Sequence, residues 1–267
     1  MTNSDAVIVK QDGPIGRITF NKPERYNSFD ATMLETIHAA LQEFGHNPEI
    51  GVVVFTGAGD KAFCAGGYLK DLTEFDAVQA RKLYDASWAV FSAMRRIPQP
   101  VIAAVQGFAI GGGNEFVICS DLAIASDNAR FGQTGPKVGS VPVYGGTNLL
   151  PLTIGEKKAR EVVYLCRQYT AQEALELGWI NKVVPQDQLA AEVDSWCEEL
   201  LGRSPSYLEL AKVMSNIWWD VATTGMEHAK QAMLRLAGGP EMTEGASAFM
   251  EKRKPDFQQF RRASGPR

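Results

Sequence analysis

The sequence predicts an α/β fold with a parallel sheet that passes into a mostly helical second half. Two patterns predict it. Up to about Gly145, short β-branched runs alternate with helical segments, and beyond that point the strand-like runs thin out while helical periodicity takes over. Hydrophobic residues make up 45% of the 267-residue chain, enough apolar side chain for a full core.

The elements follow in order. "AVIVKQ" and "IGRITF" are the first strands, each short and bounded by turn residues. "FDATMLETIHAALQEFGH" is an amphipathic helix that starts at Asp30 and sets Met33, Leu34, Ile37, Leu41 and Phe44 on one face. "GVVVFTG", "PVIAAVQG" and "DLAIAS" complete the strand set, and strands separated by helices in this way make a parallel sheet. "EKKAREVVYLC", "TAQEALELG", "QLAAEVDSWCEELLGR" and "SYLELAKVMSNIWW" read as helices, with "WINKVVP" one short extended exception. The basic C-terminal stretch "EKRKPDFQQFRRASGPR" reads as a terminal helix with a frayed tail.

Composition removes several classes of function. A net charge of −4 does not favour electrostatic capture of nucleic acid. The start "MTNSDAVIVK" lacks the basic segment and apolar run of a secretory signal, and no later stretch nears the roughly 20 apolar residues of a membrane span, so a cytoplasmic location without membrane attachment is expected. Cys64, Cys119, Cys166 and Cys197 are scattered without a CxxC pair, which predicts free thiols and no metal site. His38, His46 and His228 lack triad spacing and read as structural, and Trp218–Trp219 suits a core or subunit interface.

Two glycine turns carry the chemistry. In "AFCAGGYLK", Gly66 and Gly67 let a strand end bend so that backbone N–H groups face outward. In "GFAIGGGNEF", three glycines precede an apolar helical run whose first N–H groups have no intrahelical acceptor. Donors from two turns that converge on one point can hold a carbonyl oxygen as it becomes negative. Tight packing or a phosphate cradle would use the same residues, although neither stretch fits GxGxxG or GxxxxGKS.

With "ITFNKPERYNSFD", "GDKAFCAGGYLKDL", "PQPVIAAVQGFAIGGGNEFVICSDLAIASDNARFGQ", "AQEALELGWINKVVP" and "FMEKRKPDF", the chain resembles the crotonase (enoyl-CoA hydratase/isomerase) superfamily over almost its whole length. The resemblance implies a crotonase-like spiral of ββα turns over residues 1–200 and a helical trimerisation region over 201–267, assembled as a homotrimer or dimer of trimers. It implies an acyl-CoA substrate, with coenzyme A entering as part of that substrate and no permanently bound cofactor. Carried onto matching positions, the oxyanion donors are the N–H groups of Gly67 and Gly112, and the coenzyme A contacts are Arg25, Tyr26, Ala65, Gly67 and Leu69. Phe249 and Lys252 join them from an "FMEKRK" helix that in relatives reaches across from the neighbouring subunit.

Hydratases of this family use two glutamates. The first matches Glu115; the second falls in "FGQTGPK", where Gly135 stands in place of the acid. "FGQTGPKVGS" and "GEKKAREVVYLCRQYTAQEAL" also resemble the branch of 1,4-dihydroxy-2-naphthoyl-CoA synthase and 2-ketocyclohexanecarboxyl-CoA hydrolase, but the aspartate of that branch is replaced by Pro142. Tyr68 stands where an aspartate commonly follows the oxyanion residue. Tyr68 and Tyr144 are candidate proton or hydrogen-bond donors, or ligand-packing groups. Tyr84, Trp88, Phe91 and the segment after Leu72 are expected to shape the acyl pocket. The resulting expectation is an enoyl-CoA hydratase or isomerase working through an enolate; hydration, ring opening or ring closure of a cyclic acyl-CoA is the alternative, and a non-catalytic acyl-CoA-binding protein a further one.

Overall fold

In the computed structural model, residues 5–69 and 76–263 are described. The segment after Leu72 that was expected to shape the acyl pocket therefore begins outside them, as does the tail at residues 264–267.

Strands β1 (Val7–Asp12) and β2 (Ile15–Phe20) form an antiparallel hairpin that turns at Gly13, whose φ is +56°. Helix α1 (Ala31–His46) starts where predicted. The Asp30 carboxylate accepts the Met33 N–H at 2.9 Å, and Met33, Leu34, Ile37, Leu41 and Phe44 are all buried. Burial pushes the Asp30 carboxyl up, but the hydrogen bond from Arg25 outweighs this with help from the helix N–H groups, leaving it below the usual carboxylate range.

From there the chain winds as a spiral. Each turn gives its first strand to one sheet and a short second strand to another. β3 (Val52–Gly57) is followed by β4 (Ala62–Cys64), β5 (Val101–Val105) by β6 (Phe108–Ile110), and β7 (Leu122–Ser126) by β8 (Arg130–Gly132). The longer strands, with β10 (Lys182–Val184), make a six-stranded sheet in the order β1-β2-β3-β5-β7-β10; the short ones, with β9 (Gln168–Thr170), make a four-stranded sheet in the order β4-β6-β8-β9. Helices α2 (Ala77–Arg96) and α3 (Gly112–Cys119) lead from one turn to the next. The sequence predicts the long strands and not the short ones. Three residues are too few to show the alternation that marks a strand, and β4, β6, β8 and β9 are three residues each.

Alternation along β3 sorts the core into two layers. Val53 and Phe55 face the main cluster; Val52 and Val54 face Ile102, Ile124 and the later helix Leu189–Leu201. After α4 (Leu150–Ile154), α5 (Glu156–Leu165), α6 (Ala171–Glu176) and α7 (Leu189–Leu201), the predicted helix "SYLELAKVMSNIWW" is broken at Asn216 into α8 (Pro205–Ser215) and α9 (Ile217–Leu236). The break lies where side chains bond elsewhere. Asn216 Nδ2 donates to the Arg95 carbonyl at 2.6 Å, and the buried Lys212 donates to the Met94 and Gln99 carbonyls and pairs with Asp121 at 2.8 Å. Trp219, Met226, Met233, Met242 and Ala246 belong to the same core cluster as Phe20 and Phe116, and Trp219 stacks on Trp88. Its neighbour Trp218 is exposed.

The C-terminal segment differs from its expected continuous helix. α10 (Pro240–Met250) stops before Lys252, which adopts φ +55° while Arg253 N–H reaches back to the Ala248 carbonyl at 2.9 Å. The Arg253 guanidinium then grips the Glu244 carboxylate through two bonds of 2.6 and 2.9 Å, and α11 (Gln258–Ala263) is a separate short helix. Cys64, Cys119, Cys166 and Cys197 are free thiols, as expected. Among the described residues no helix is long and apolar enough to cross a membrane.

Candidate active site

β4 and β6 are neighbours, and both glycine turns leave from their C-terminal ends. After Cys64 the chain passes through Gly66, with φ +91°, to Gly67. Phe29 donates to the Gly66 carbonyl and accepts from the Tyr68 N–H, each at 2.9 Å. In such a parallel bridge around Gly67, the N–H of Gly67 itself points away from Phe29. After β6, Gly111 turns at φ +56° and α3 begins at Gly112, whose N–H lies in a first turn with no intrahelical acceptor. The turns interlock: a Cβ on Gly66 would lie 3.0 Å from the Gly112 nitrogen, one on Gly112 2.6 Å from the Phe29 ring, and one on Gly113 1.9 Å from the Cys64 carbonyl oxygen. Only glycine leaves room for both backbones here.

Gly67 and Gly112 open on one cavity of about 680 Å³. Glu115 lines it from the first turn of α3 and is 5% exposed. Its Oε1 accepts the Tyr144 N–H at 2.7 Å and lies 3.5 Å from the Gly146 N–H. Burial pushes the carboxyl up to about 8, against the opposing pull of those two N–H groups. A carboxyl so poised can both give and take a proton near neutrality.

Arg25, Tyr26, Ala65, Tyr68, Leu69, Tyr144 and Phe249 line the same cavity. The Arg25 guanidinium is held inward, 2.8 Å from Asp30 and 4.7 Å from the centre of the Tyr68 ring, so Tyr68 packs on a cation at the cavity wall. The Tyr144 hydroxyl, a candidate donor from sequence, donates to the Tyr84 carbonyl at 2.7 Å, and burial and nearby Glu115 both push its phenol up. What Tyr144 offers Glu115 is its backbone. Lys252 follows the left-handed stop after α10 and does not line the cavity of its own chain. Phe249, in the last turn of α10, lines the cavity of its own chain. Glycines let α10 lie on the 135–139 turn: a Cβ on Gly139 would meet the Met242 Cα at 2.5 Å, and one on Gly245 the Val138 carbonyl carbon at 2.4 Å.

The absent second acid has a steric reason. A Cβ on Gly135 would lie 2.9 Å from the Ser140 carbonyl oxygen and 3.1 Å from the Val141 Cα, within a turn closed by Ser140 N–H to the Gly135 carbonyl at 2.8 Å. Gln133, Lys137 and Ser140 line the cavity and are absent from the sequence-derived site. Their signal was the polar run "GQTGPKVGS" directly after β8.

Residues 10–261 match the model of the enoyl-CoA hydratase/isomerase family. Among solved structures, an enoyl-CoA hydratase from Mycobacterium avium subsp. paratuberculosis K-10 superposes with a TM-score of 0.84 at 28% identity, covering 94% of this chain and 98% of that one. A carnitinyl-CoA hydratase from Mycobacterium avium gives 0.85 at 30% identity, covering 96% and 100%. An enoyl-CoA hydratase from Bacillus anthracis gives 0.76 at 32% identity, covering 94% and 98%.

Proposed function

The chain belongs to the enoyl-CoA hydratase/isomerase family, and from that premise we propose that it is a hydratase or isomerase of an enoyl-CoA thioester. The observation that carries the reading is a buried carboxyl, Glu115, lining the same cavity as the interlocked Gly67 and Gly112 turns. The thioester oxygen sits between the two glycine N–H groups. Charge that develops on that oxygen, when a proton leaves the α- or γ-carbon or a nucleophile adds to the β-carbon, is stabilised there at no cost in reorganisation. Glu115 moves the proton, taking it as carboxylate and returning it as acid. One carboxyl suffices to carry a proton between two carbons.

Coenzyme A arrives with the substrate and leaves with the product, and no permanent cofactor takes part. Arg25, Tyr26, Ala65, Leu69 and Phe249 are its contacts, with Lys137 as an exposed cation at the same cavity. A homotrimer or dimer of trimers fits the apolar side chains that α8 and α9 leave exposed, among them Met214, Ile217, Trp218 and Val221. A second reading, chemistry on a cyclic acyl-CoA, is favoured by the closed turn at Gly135, which excludes the second glutamate of a hydratase pair.

Incubation with linear and cyclic enoyl-CoA thioesters followed by mass spectrometry tests the proposal. Gain of one water without release of coenzyme A supports hydration, and an unchanged mass with a new isomer supports isomerisation. Cyclic thioesters alone reacting would move the assignment to the second reading. Binding without turnover across the whole panel would leave a non-catalytic acyl-CoA-binding protein.

A further inference from the structure

Three neighbouring strands of the small sheet end at the cavity. β4 delivers Gly67 and β6 delivers Gly112. β8, paired to β6 with Gly132 opposite Ile110, delivers Gln133 as the next residue. Gln133 is fully buried at 0% exposure, lines the cavity, and has no hydrogen-bond partner for either Oε1 or Nε2. Its carboxamide carbon lies 3.0 Å from where a Cβ on Gly146 would stand, and Gly146 is one of the two residues whose N–H groups face Glu115. It therefore sits beside the loop that holds the acid. Leaving a buried amide without partners is costly, which points to a polar guest at this position. Other polar groups that line the cavity are engaged elsewhere: Tyr84 pairs with Ser140, and the Tyr144 hydroxyl with a backbone carbonyl.

We propose that Gln133 is a positioning residue that, together with Glu115, holds the water molecule added to the alkene. The proposal rests on the hydratase or isomerase reading and narrows it to hydration. The Gln133 Oε1 accepts one O–H of the water, which turns the other O–H toward the Glu115 carboxylate and a lone pair toward the β-carbon. As the oxygen–carbon bond forms, the alkene pair moves through the α-carbon to the thioester oxygen at Gly67 and Gly112, and Glu115 takes the water's proton. The enolate then collapses and Glu115 returns that proton to the α-carbon, so one water is added in full. Because a carboxamide does not ionise in this range, every proton passes through Glu115.

The test compares wild type with Gln133→Met, which keeps the length and loses the polarity, and with Gln133→Glu, which keeps the shape and restores an acceptor. Two rates are measured on each: hydration of crotonyl-CoA and cyclohex-1-ene-1-carbonyl-CoA, and α-proton exchange into D2O of their saturated analogues, which uses the hole and Glu115 but no added water. The ratio of hydration to exchange is expected to fall by about 10²-fold in Gln133→Met, the penalty typical of a misplaced reactant. In Gln133→Glu it should stay within about tenfold of wild type and show an extra ionisation in its pH profile. If Gln133→Met fails to fold, Gln133→Glu still decides, since the proposal is overturned by the absence of that added ionisation. A ratio in Gln133→Met within about threefold of wild type overturns it as well. So does a wild-type enzyme that exchanges protons but hydrates neither thioester. Loss of both reactions in wild type would instead sink the reading of Glu115 and the hole, and this proposal with it.

Discussion

The two walls of the cavity are built on different principles. On one, Gly66–Gly67 and Gly111–Gly112 present backbone to the cavity, and added side-chain atoms at 66, 112 or the adjoining 113 crowd neighbouring backbone or the Phe29 ring. The other wall, from Gln133 to Tyr144, presents side chains around a closed turn that has glycine at 135. The first wall is locked by packing, so its donors persist wherever the fold does. The facing wall carries the polar side chains Gln133, Lys137 and Ser140, and on the proposed reading these bear on which reaction is run.

The sharpest way to break this comparison is to remove the acid and leave both walls standing. Glu115→Gln keeps size and polarity, and turnover should fall by about 10²–10⁴-fold with acyl-CoA affinity little changed, read by steady-state kinetics and calorimetry. Near-normal turnover would reduce Glu115 to a helix-start acid. Next comes the locked wall. Gly112→Pro and Gly112→Ala both push a Cβ toward Phe29, but only proline deletes the N–H, so proline should be slower than alanine by about 10²–10³-fold. Equal rates in two folded variants would mean that the N–H is not in use.

Titration sharpens the comparison further. With the Glu115 carboxyl at about 8, kcat/KM for a step that needs the carboxylate should rise about tenfold between pH 7 and 9. Stability should move the other way. From the ordinary value of 4.5 up to about 8, the folded chain keeps a proton that the unfolded chain has released, so this contribution is full below pH 4.5 and is lost as pH rises through 8. Thermal melts of Glu115→Gln should lack that decline. The smallest effect belongs to the facing wall. Gly135→Glu should give no gain in hydration, because its Cβ already crowds the Ser140 carbonyl, and Gly135→Ala should cost about 1–3 kcal/mol in denaturant unfolding. A faster Gly135→Glu enzyme would show the turn to be more yielding than its backbone contacts imply.

Much of this was legible in the sequence where one residue type admits one local reason. Asp30 and the spacing from Met33 to Phe44 announce helix α1, and the paired glycine turns announce donors before any family likeness is considered. The small sheet was not legible, since its strands are held by neighbours in space and not by periodicity. Tyr144 showed a hydroxyl in the sequence but not the Tyr84 carbonyl, 60 positions away, that occupies it. The run "EKRK" reads as helix until Lys252 is seen in the left-handed conformation that ends it. Gln133 was plain to see within "FGQ", but a buried amide without a partner is a fact of three dimensions.

The stacking of β4, β6 and β8 sets a scale for the chemistry. Hydrogen-bonded strands lie about 4.8 Å apart, so groups borne just past their ends repeat at that pitch, and three such rungs measure out about 10 Å of substrate. On the proposed reading the thioester oxygen lies between the first two marks, and Gln133 stands at the third. Lengthening a connecting helix does not alter the marks, because the strand ladder holds them, whereas sliding one short strand by a residue would carry its mark about 3.3 Å along the strand axis and out of line with the others. Change in such a site is therefore discrete: a new reaction comes from rewriting what one rung carries, at a distance from its neighbours that the sheet has already fixed.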